Sequence, residues 1–170
     1  MKYLMLVLVI VLAGCSSAPK GITPVDGFQL ERYLGTWYEI ARQDHSFEDG
    51  LSKVSATYSM QEDGGVAVLN KGYSKEENKW QEAQGRAYFV ASSDVGHLKV
   101  SFFGPFYGAY VIFELDKEHY QYAMISGPNR DFFWLLARTP TISESVKAEL
   151  LEKARVQGFS VDDLIMVEQP

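Results

Sequence analysis

The sequence predicts an all-β fold: an eight-stranded up-and-down antiparallel barrel with one C-terminal α-helix packed outside it and a short final strand. Three observations predict it. Segments of alternating polarity follow one another at short spacing with turn residues between them, which is the signature of half-buried strands. Eight such segments precede one helical stretch, and eight sequential antiparallel strands escape the hazard of unpaired edges by closing on themselves. Trp37 opens the first strand and Arg138 ends the last. A guanidinium over an indole face contributes roughly 0.5 to 2 kcal/mol, a pairing suited to the closed end of a small barrel.

The N-terminus precedes the fold. Lys2 supplies a positive start, Tyr3 to Leu12 form an apolar run, and Leu12-Ala13-Gly14-Cys15 ends it with small residues. Residues 1–14 read as a secretory signal rather than a membrane span, which needs about twenty apolar residues. The run ending in Cys15 resembles a bacterial lipobox, which implies cleavage before Cys15, a diacylated thiol and an acylated new amino group. Several acyl chains on one residue exceed the two signals that stable anchoring takes. Ser16 stands where an Asp would, by the same resemblance, favour retention in the inner membrane, so the expected address is the outer membrane, on its periplasmic face. Residues 15–24 then read as the lipidated Cys and a short flexible tether, and residues 25–170 as a single domain.

Cys15 is the only cysteine, so no disulfide is expected, and stability has to come from the core. About 155 residues suffice for that. Removing the signal takes away Lys2 and no acid, moving the formal net charge from −6 to −7. An acidic domain with no basic tract argues against nucleic acid as a partner.

The elements follow in order. Gly35 turns the chain into the strand of Trp37. Val54, Ala56 and Tyr58 alternate with Ser55, Thr57 and Ser59, and Asp63-Gly64-Gly65 makes a hairpin turn into Val66, Val68 and Asn70. Gly85, Ala87 and Phe89 alternate with Arg86 and Tyr88, as Leu98, Val100 and Phe102 do with Lys99, Ser101 and Phe103. Further strands cover about Ala109 to Leu115, Tyr120 to Ser126 and Phe132 to Arg138. Thr141-Ile142-Ser143-Glu144 has the form of a capping box, Val146, Leu150, Leu151 and Ala154 make the apolar stripe of a helix, and Gly158 stops it. Ile165 to Val167 form the final short strand.

Gly35-Thr36-Trp37-Tyr38-Glu39-Ile40-Ala41-Arg42, with Tyr120-Gln121-Tyr122-Ala123 and Leu135-Leu136-Ala137-Arg138-Thr139-Pro140, resembles the lipocalin family from about Gly35 to the C-terminus. Asp63-Gly64-Gly65 and Phe102-Phe103-Gly104-Pro105-Phe106-Tyr107-Gly108 are similar to the family's bacterial branch, anchored to the outer membrane. The resemblance implies a calyx whose floor is Gly35, Trp37 and Arg138. With Trp37 and Arg138 inward, parity turns Glu39, Ala41, Trp134 and Leu136 inward too. Turn spacing together with the resemblance adds Ala56, Tyr58, Val68, Asn70, Ala87, Phe89, Val100, Phe102, Tyr110, Ile112, Ala123 and Ile125. Several of these are small, which leaves room for an acyl chain among a few polar groups. Glu39 is expected beside Arg138, and Glu114 either turns inward or reaches solvent through a bulge.

Phe47, Phe106 and Tyr107 are expected at the mouth, as a lip against lipid, a second copy of the chain or an entering acyl chain, or else folded back as a lid. Arg42, Lys71, Arg86 and Arg130 are candidate contacts for a phosphate headgroup. His45, His97 and His119 lack metal-ligand spacing, and no nucleophile elbow, phosphate loop or dinucleotide fingerprint occurs, so neither metal, cofactor nor catalytic residue is expected. The resemblance implies a membrane-anchored protein that stores or transports fatty acids, lysophospholipids or similar amphiphiles. An enzyme acting on a lipid or pigment, and a structural envelope lipoprotein with a filled barrel, are the alternatives.

Overall fold

A computed structural model describes residues 16–170; the expected signal peptide and Cys15 lie outside the described residues. The described residues form strands β1 (Gly35–Arg42), β2 (Leu51–Met60), β3 (Val66–Ser74), β4 (Lys79–Phe89), β5 (His97–Phe103), β6 (Phe106–Leu115), β7 (Tyr122–Ser126), β8 (Phe133–Ala137) and β9 (Ile165–Met166), with helices α1 (Leu30–Tyr33) and α2 (Glu144–Val156). Each of β1 to β7 pairs antiparallel with the next, and β1 pairs with β8 as well as β2, so the sheet closes into the expected barrel.

Turn chemistry sets the register. Gly64 takes φ of +82° between β2 and β3, where Gly65 N donates to Asp63 Oδ1 at 2.9 Å and Gln61 N to Gly65 O at 2.8 Å. A left-handed glycine and an Asp that caps its own turn are what a tight hairpin requires. β4 pairs with β5 only over Arg86–Phe89. Its mouth-side half therefore runs past its neighbour as an exposed edge bearing Lys79 and Glu82, charges that discourage strand addition.

Two apolar cores share one wall. Trp37, Val68, Ala87, Leu98, Ile125 and Leu136 face the barrel axis. Ala41, Met124, Phe133, Leu135, Leu150 and Ala154 fill the space between the barrel and α2. Covered on both faces, β7 and β8 are buried almost throughout, which is why their sequences read as continuous apolar runs rather than clean alternation.

Two local expectations are corrected. The N-cap of α2 is Ser143, whose side chain accepts from Val146 N at 3.3 Å, so the helix starts two residues later than a box capped by Thr141 would place it. Residues 16–24 are not a loose tether: Ser16 O lies 2.8 Å from His97 Nε2, Ile22 N donates to Pro19 O, and Ile22 is 5% exposed against the outer core. Ala18 and Ile22 bury apolar surface there, and that burial ties the segment to the wall.

Candidate functional site

The closed end is built on Trp37. Its ring is fully buried, its Nε1 donates to Tyr33 O at 2.8 Å, and Arg138 Cζ lies 4.1 Å from the ring centroid. Arg138 also donates to Arg32 O (2.7 Å), Thr36 O (3.1 Å) and Tyr120 O (3.3 Å). One guanidinium thus ties α1, β1 and the β6–β7 loop together beneath the indole. Gly35, with φ of +97°, sits against the same guanidinium, where a left-handed backbone and close approach both favour glycine. Helix α1, which carries no amphipathic pattern long enough to be read from sequence, brings Leu30 and Tyr33 into this floor.

Above the floor is a cavity of about 530 Å³ that opens at the other end of the barrel, within the range of roughly 300–1,000 Å³ typical of small-ligand sites. Ala56, Tyr58, Val68, Asn70, Val100, Phe102, Tyr110, Ile125, Trp134 and Leu136 line it, and Phe47 and Phe106 stand at its mouth, 61% and 74% exposed. Its walls are largely apolar. At its base Tyr110 Oη lies 2.7 Å from Tyr33 Oη and 2.8 Å from Tyr58 Oη. Burial pushes the pKa of all three phenols up, making them weaker acids, so they stand as neutral hydroxyls at physiological pH.

Four expected positions differ. Ala41 does not face the cavity: β1 carries a bulge between Glu39, opposite Leu136, and Ala41, opposite Leu135. The extra residue inverts the parity, so Ala41 packs under α2. Phe89 and Ile112 belong to the inner core but not to the cavity wall, because Phe28, 6.0 Å from Phe89 ring to ring, and Val25, bonded to Ile112 O, fill the closed end beside them. Tyr107 turns to the outer wall, 6.3 Å from the Tyr88 ring and beneath Lys99 Nζ at 4.9 Å. Glu114 leaves the axis at a second irregularity and pairs with Lys153 of α2 at 3.0 Å.

The same β1 bulge builds a polar cluster that periodicity did not reveal. Arg42 is 1% exposed, and its Nη1 meets Glu39 Oε1 at 2.9 Å while Nη2 donates to Glu48 O at 2.8 Å. Glu39 therefore pairs with Arg42 and not with Arg138. Glu48 arrives from the β1–β2 loop and accepts from Trp134 Nε1 at 3.0 Å. Glu39 and Glu48 both line the cavity. Burial, then the Glu48 charge, raise the Glu39 carboxyl well above its ordinary range, with Arg42 opposing them. Beside the cluster His45 stacks between Phe47 and Phe132, both at 5.0 Å, with Trp134 at 4.9 Å.

Of the other candidate cations, Lys71 lines the cavity and pairs with Glu82 at 3.4 Å. Arg130 Nε donates to Gln157 O at 2.8 Å, and Arg86 is on the outward face of β4 near the Gly104 turn.

The family model of a lipocalin-like domain matches residues 28–169. The chain belongs to the lipocalin family. Within it, the chain is 54% identical over 160 residues to the outer membrane lipoprotein Blc of Vibrio cholerae, covering 94% of each. It is also 54% identical to the Blc of Escherichia coli K12, covering 92% of this chain and 89% of that one. These identities put it in the bacterial, Blc-like branch of the lipocalins. Among solved structures, insecticyanin of the tobacco hornworm Manduca sexta shares the lipocalin barrel at a TM-score of 0.72 and 17% identity, over 91% of this chain and 87% of that one.

Proposed function

We propose that this lipocalin is a membrane-anchored carrier that stores or transports single-chain amphiphiles, such as fatty acids or lysophospholipids, in the cell envelope. The observation that carries the reading is the cavity of about 530 Å³, apolar along its walls and open at one end only. An acyl chain lowered into it leaves water at about 0.8 kcal/mol per methylene, and the headgroup stays under the rim. A structural lipoprotein with a filled barrel has no use for such a void.

Anchoring is assigned to Cys15, acylated after removal of residues 1–14, at the periplasmic face of the outer membrane. The relatives named outer membrane lipoproteins support that address. Since Ser16 is held on the barrel wall by His97, the anchor would keep the barrel close to the bilayer from which its guest comes. A binding role is favoured over catalysis because Glu39 and Tyr58 direct their hydrogen bonds to Arg42 and Tyr110 rather than to each other, so they form no carboxyl–tyrosine pair.

Native mass spectrometry of residues 16–170 with a panel of fatty acids and lysophospholipids tests the reading. One-to-one complexes at micromolar concentration are expected; no uptake of any member would overturn the carrier function.

A further inference from the structure

Two hairpins reach the mouth with opposite chemistry. The turn between β3 and β4 is Lys75-Glu76-Glu77-Asn78, charged as a solvated turn is expected to be. The turn between β5 and β6 is built on Phe103-Gly104-Pro105-Phe106, and residues 100–113 hold no Asp, Glu, Lys or Arg, the longest such stretch among the described residues. Phe103 is 82% and Phe106 74% exposed. This tip therefore sends two rings into space where water alone favours polar turn residues.

The outer face of β5 joins that tip to the expected anchor. His97, Lys99 and Phe103 share this face, alternating with the inward Leu98, Val100 and Phe102. Ser16 O lies 2.8 Å from His97 Nε2, so an acylated Cys15 leaves the barrel at the other end of the same strand. That point is about 20 Å from Phe103 at roughly 3.3 Å per residue. One residue of chain gives the anchor almost no slack, which holds the His97 end against the bilayer. Between the two ends, Lys99 Nζ stands 4.9 Å from the Tyr107 ring, itself 6.3 Å from the Tyr88 ring. The Arg86 guanidinium lies against the Gly104 turn. Neither cation forms a salt bridge among the described residues; Asp63, beyond them at the closed-end turn, accepts from Tyr88 Oη at 2.7 Å. In a chain of net charge −6, cations set beside tyrosines behind an apolar tip match the layering of a membrane surface, where such side chains reach anionic headgroups.

We infer that the β5–β6 hairpin is a second membrane contact: Phe103 and Phe106 enter the leaflet that holds the acylated N-terminus, and Tyr88, Tyr107, Lys99 and Arg86 meet its headgroups. The inference rests on the anchoring at Cys15 and deepens it. Two contacts on one strand tilt the barrel so that the β5 side of its rim touches the bilayer, and a guest passes from membrane to cup without crossing open water.

Fluorescence quenching of the full acylated chain in vesicles of phosphatidylethanolamine and phosphatidylglycerol tests it. With Cys15 acylated the chain has no free thiol, so Phe103→Cys, Glu76→Cys and Met166→Cys each take a single fluorophore. Position 76 is exposed on the charged mouth hairpin, and position 166 is exposed on β9, which pairs with β1 across the barrel from β5. Phospholipids brominated high on their acyl chains are expected to quench the label at 103 strongly and those at 76 and 166 little. Phe106→Ser should weaken the quenching at 103, which shows that the native ring and not the label drives insertion. Quenching at 103 no greater than at 166, equal quenching at 103 and 76, or no response to Phe106→Ser overturns the inference while leaving the anchor intact. A dimer in detergent that Phe103→Ser with Phe106→Ser converts to monomer also overturns it, since a second copy then covers the tip. Protein that does not stay with the vesicles overturns both the anchoring and the hairpin contact.

Discussion

Glu39 is the residue whose chemistry depends most on where the chain puts it. In an exposed strand it would be an ordinary acid, but here burial and the neighbouring Glu48 raise its proton affinity well above the reference value of 4.5, against the pull of Arg42. Because the folded state holds that proton more tightly than the unfolded chain, stability is greatest below the ordinary carboxylate range. It is lost as pH climbs through the raised folded value. Glu39→Gln cannot titrate. Relative to that variant, the unaltered protein is therefore expected to lose ground steadily as pH rises above the ordinary value of 4.5 in urea unfolding midpoints, and a difference independent of pH would show that the proton is not linked to folding. Alternation alone put Glu39 on the inward face but paired it with Arg138; the bulge that brings Arg42 beside it has no signature in hydrophobic periodicity.

At the scale of elements, the C-terminal segment does more than its two-residue strand suggests. β1 pairs with β2 only from Gly35 to Tyr38, and β9 takes over opposite Ala41 and Arg42. The gap this fills arises where β2 is irregular between Ser52 and Ser55, with Lys53 at a positive φ. Lys53 N donates to Glu168 O at 2.7 Å, and Gln169 Nε2 donates to both Glu39 O (2.7 Å) and Val54 O (2.9 Å). The last residues thus close the seam beside the carboxyl cluster. Gln169→Ala removes both side-chain bonds and should cost about 1 to 2 kcal/mol, with faster hydrogen exchange at the mouth-side amides of β1 and β2. Unchanged exchange there would mean that water replaces the amide without loss. The final strand was legible as a short apolar segment, but its place between β1 and β2 was not, because pairing of a two-residue strand depends on a gap made elsewhere.

For the whole molecule, the balance between filled core and hollow cup turns on a few small side chains. Ala56 lies opposite Trp37 in the register and next to Asn70 across β3, yet remains part-exposed because the cavity reaches it. Ala56→Phe places a ring in that void. The expected outcome is an unchanged or slightly raised melting temperature, since added apolar surface fills space that is already empty, together with loss of the longest acyl chains from the mass-spectrometric panel. Full retention of those chains would locate the guest elsewhere. The outer hollow of about 480 Å³ between β6 and α2 is a poor substitute, being open and rimmed by Glu149, Glu152 and Lys153.

Much of this architecture was open to reading from the chain itself. Alternating polarity, the Asp63-Gly64-Gly65 turn and the single amphipathic helix determine the strand count, the closed barrel and the outside position of α2, because they are local patterns that only one arrangement satisfies together. Tertiary structure alone decided which way side chains turn after the bulge in β1, how α1 and Phe28 fill the closed end, and how the C-terminus seals the seam. Those outcomes depend on one inserted residue and on contacts between segments more than a hundred residues apart, and the periodicity of any single strand carries no trace of them.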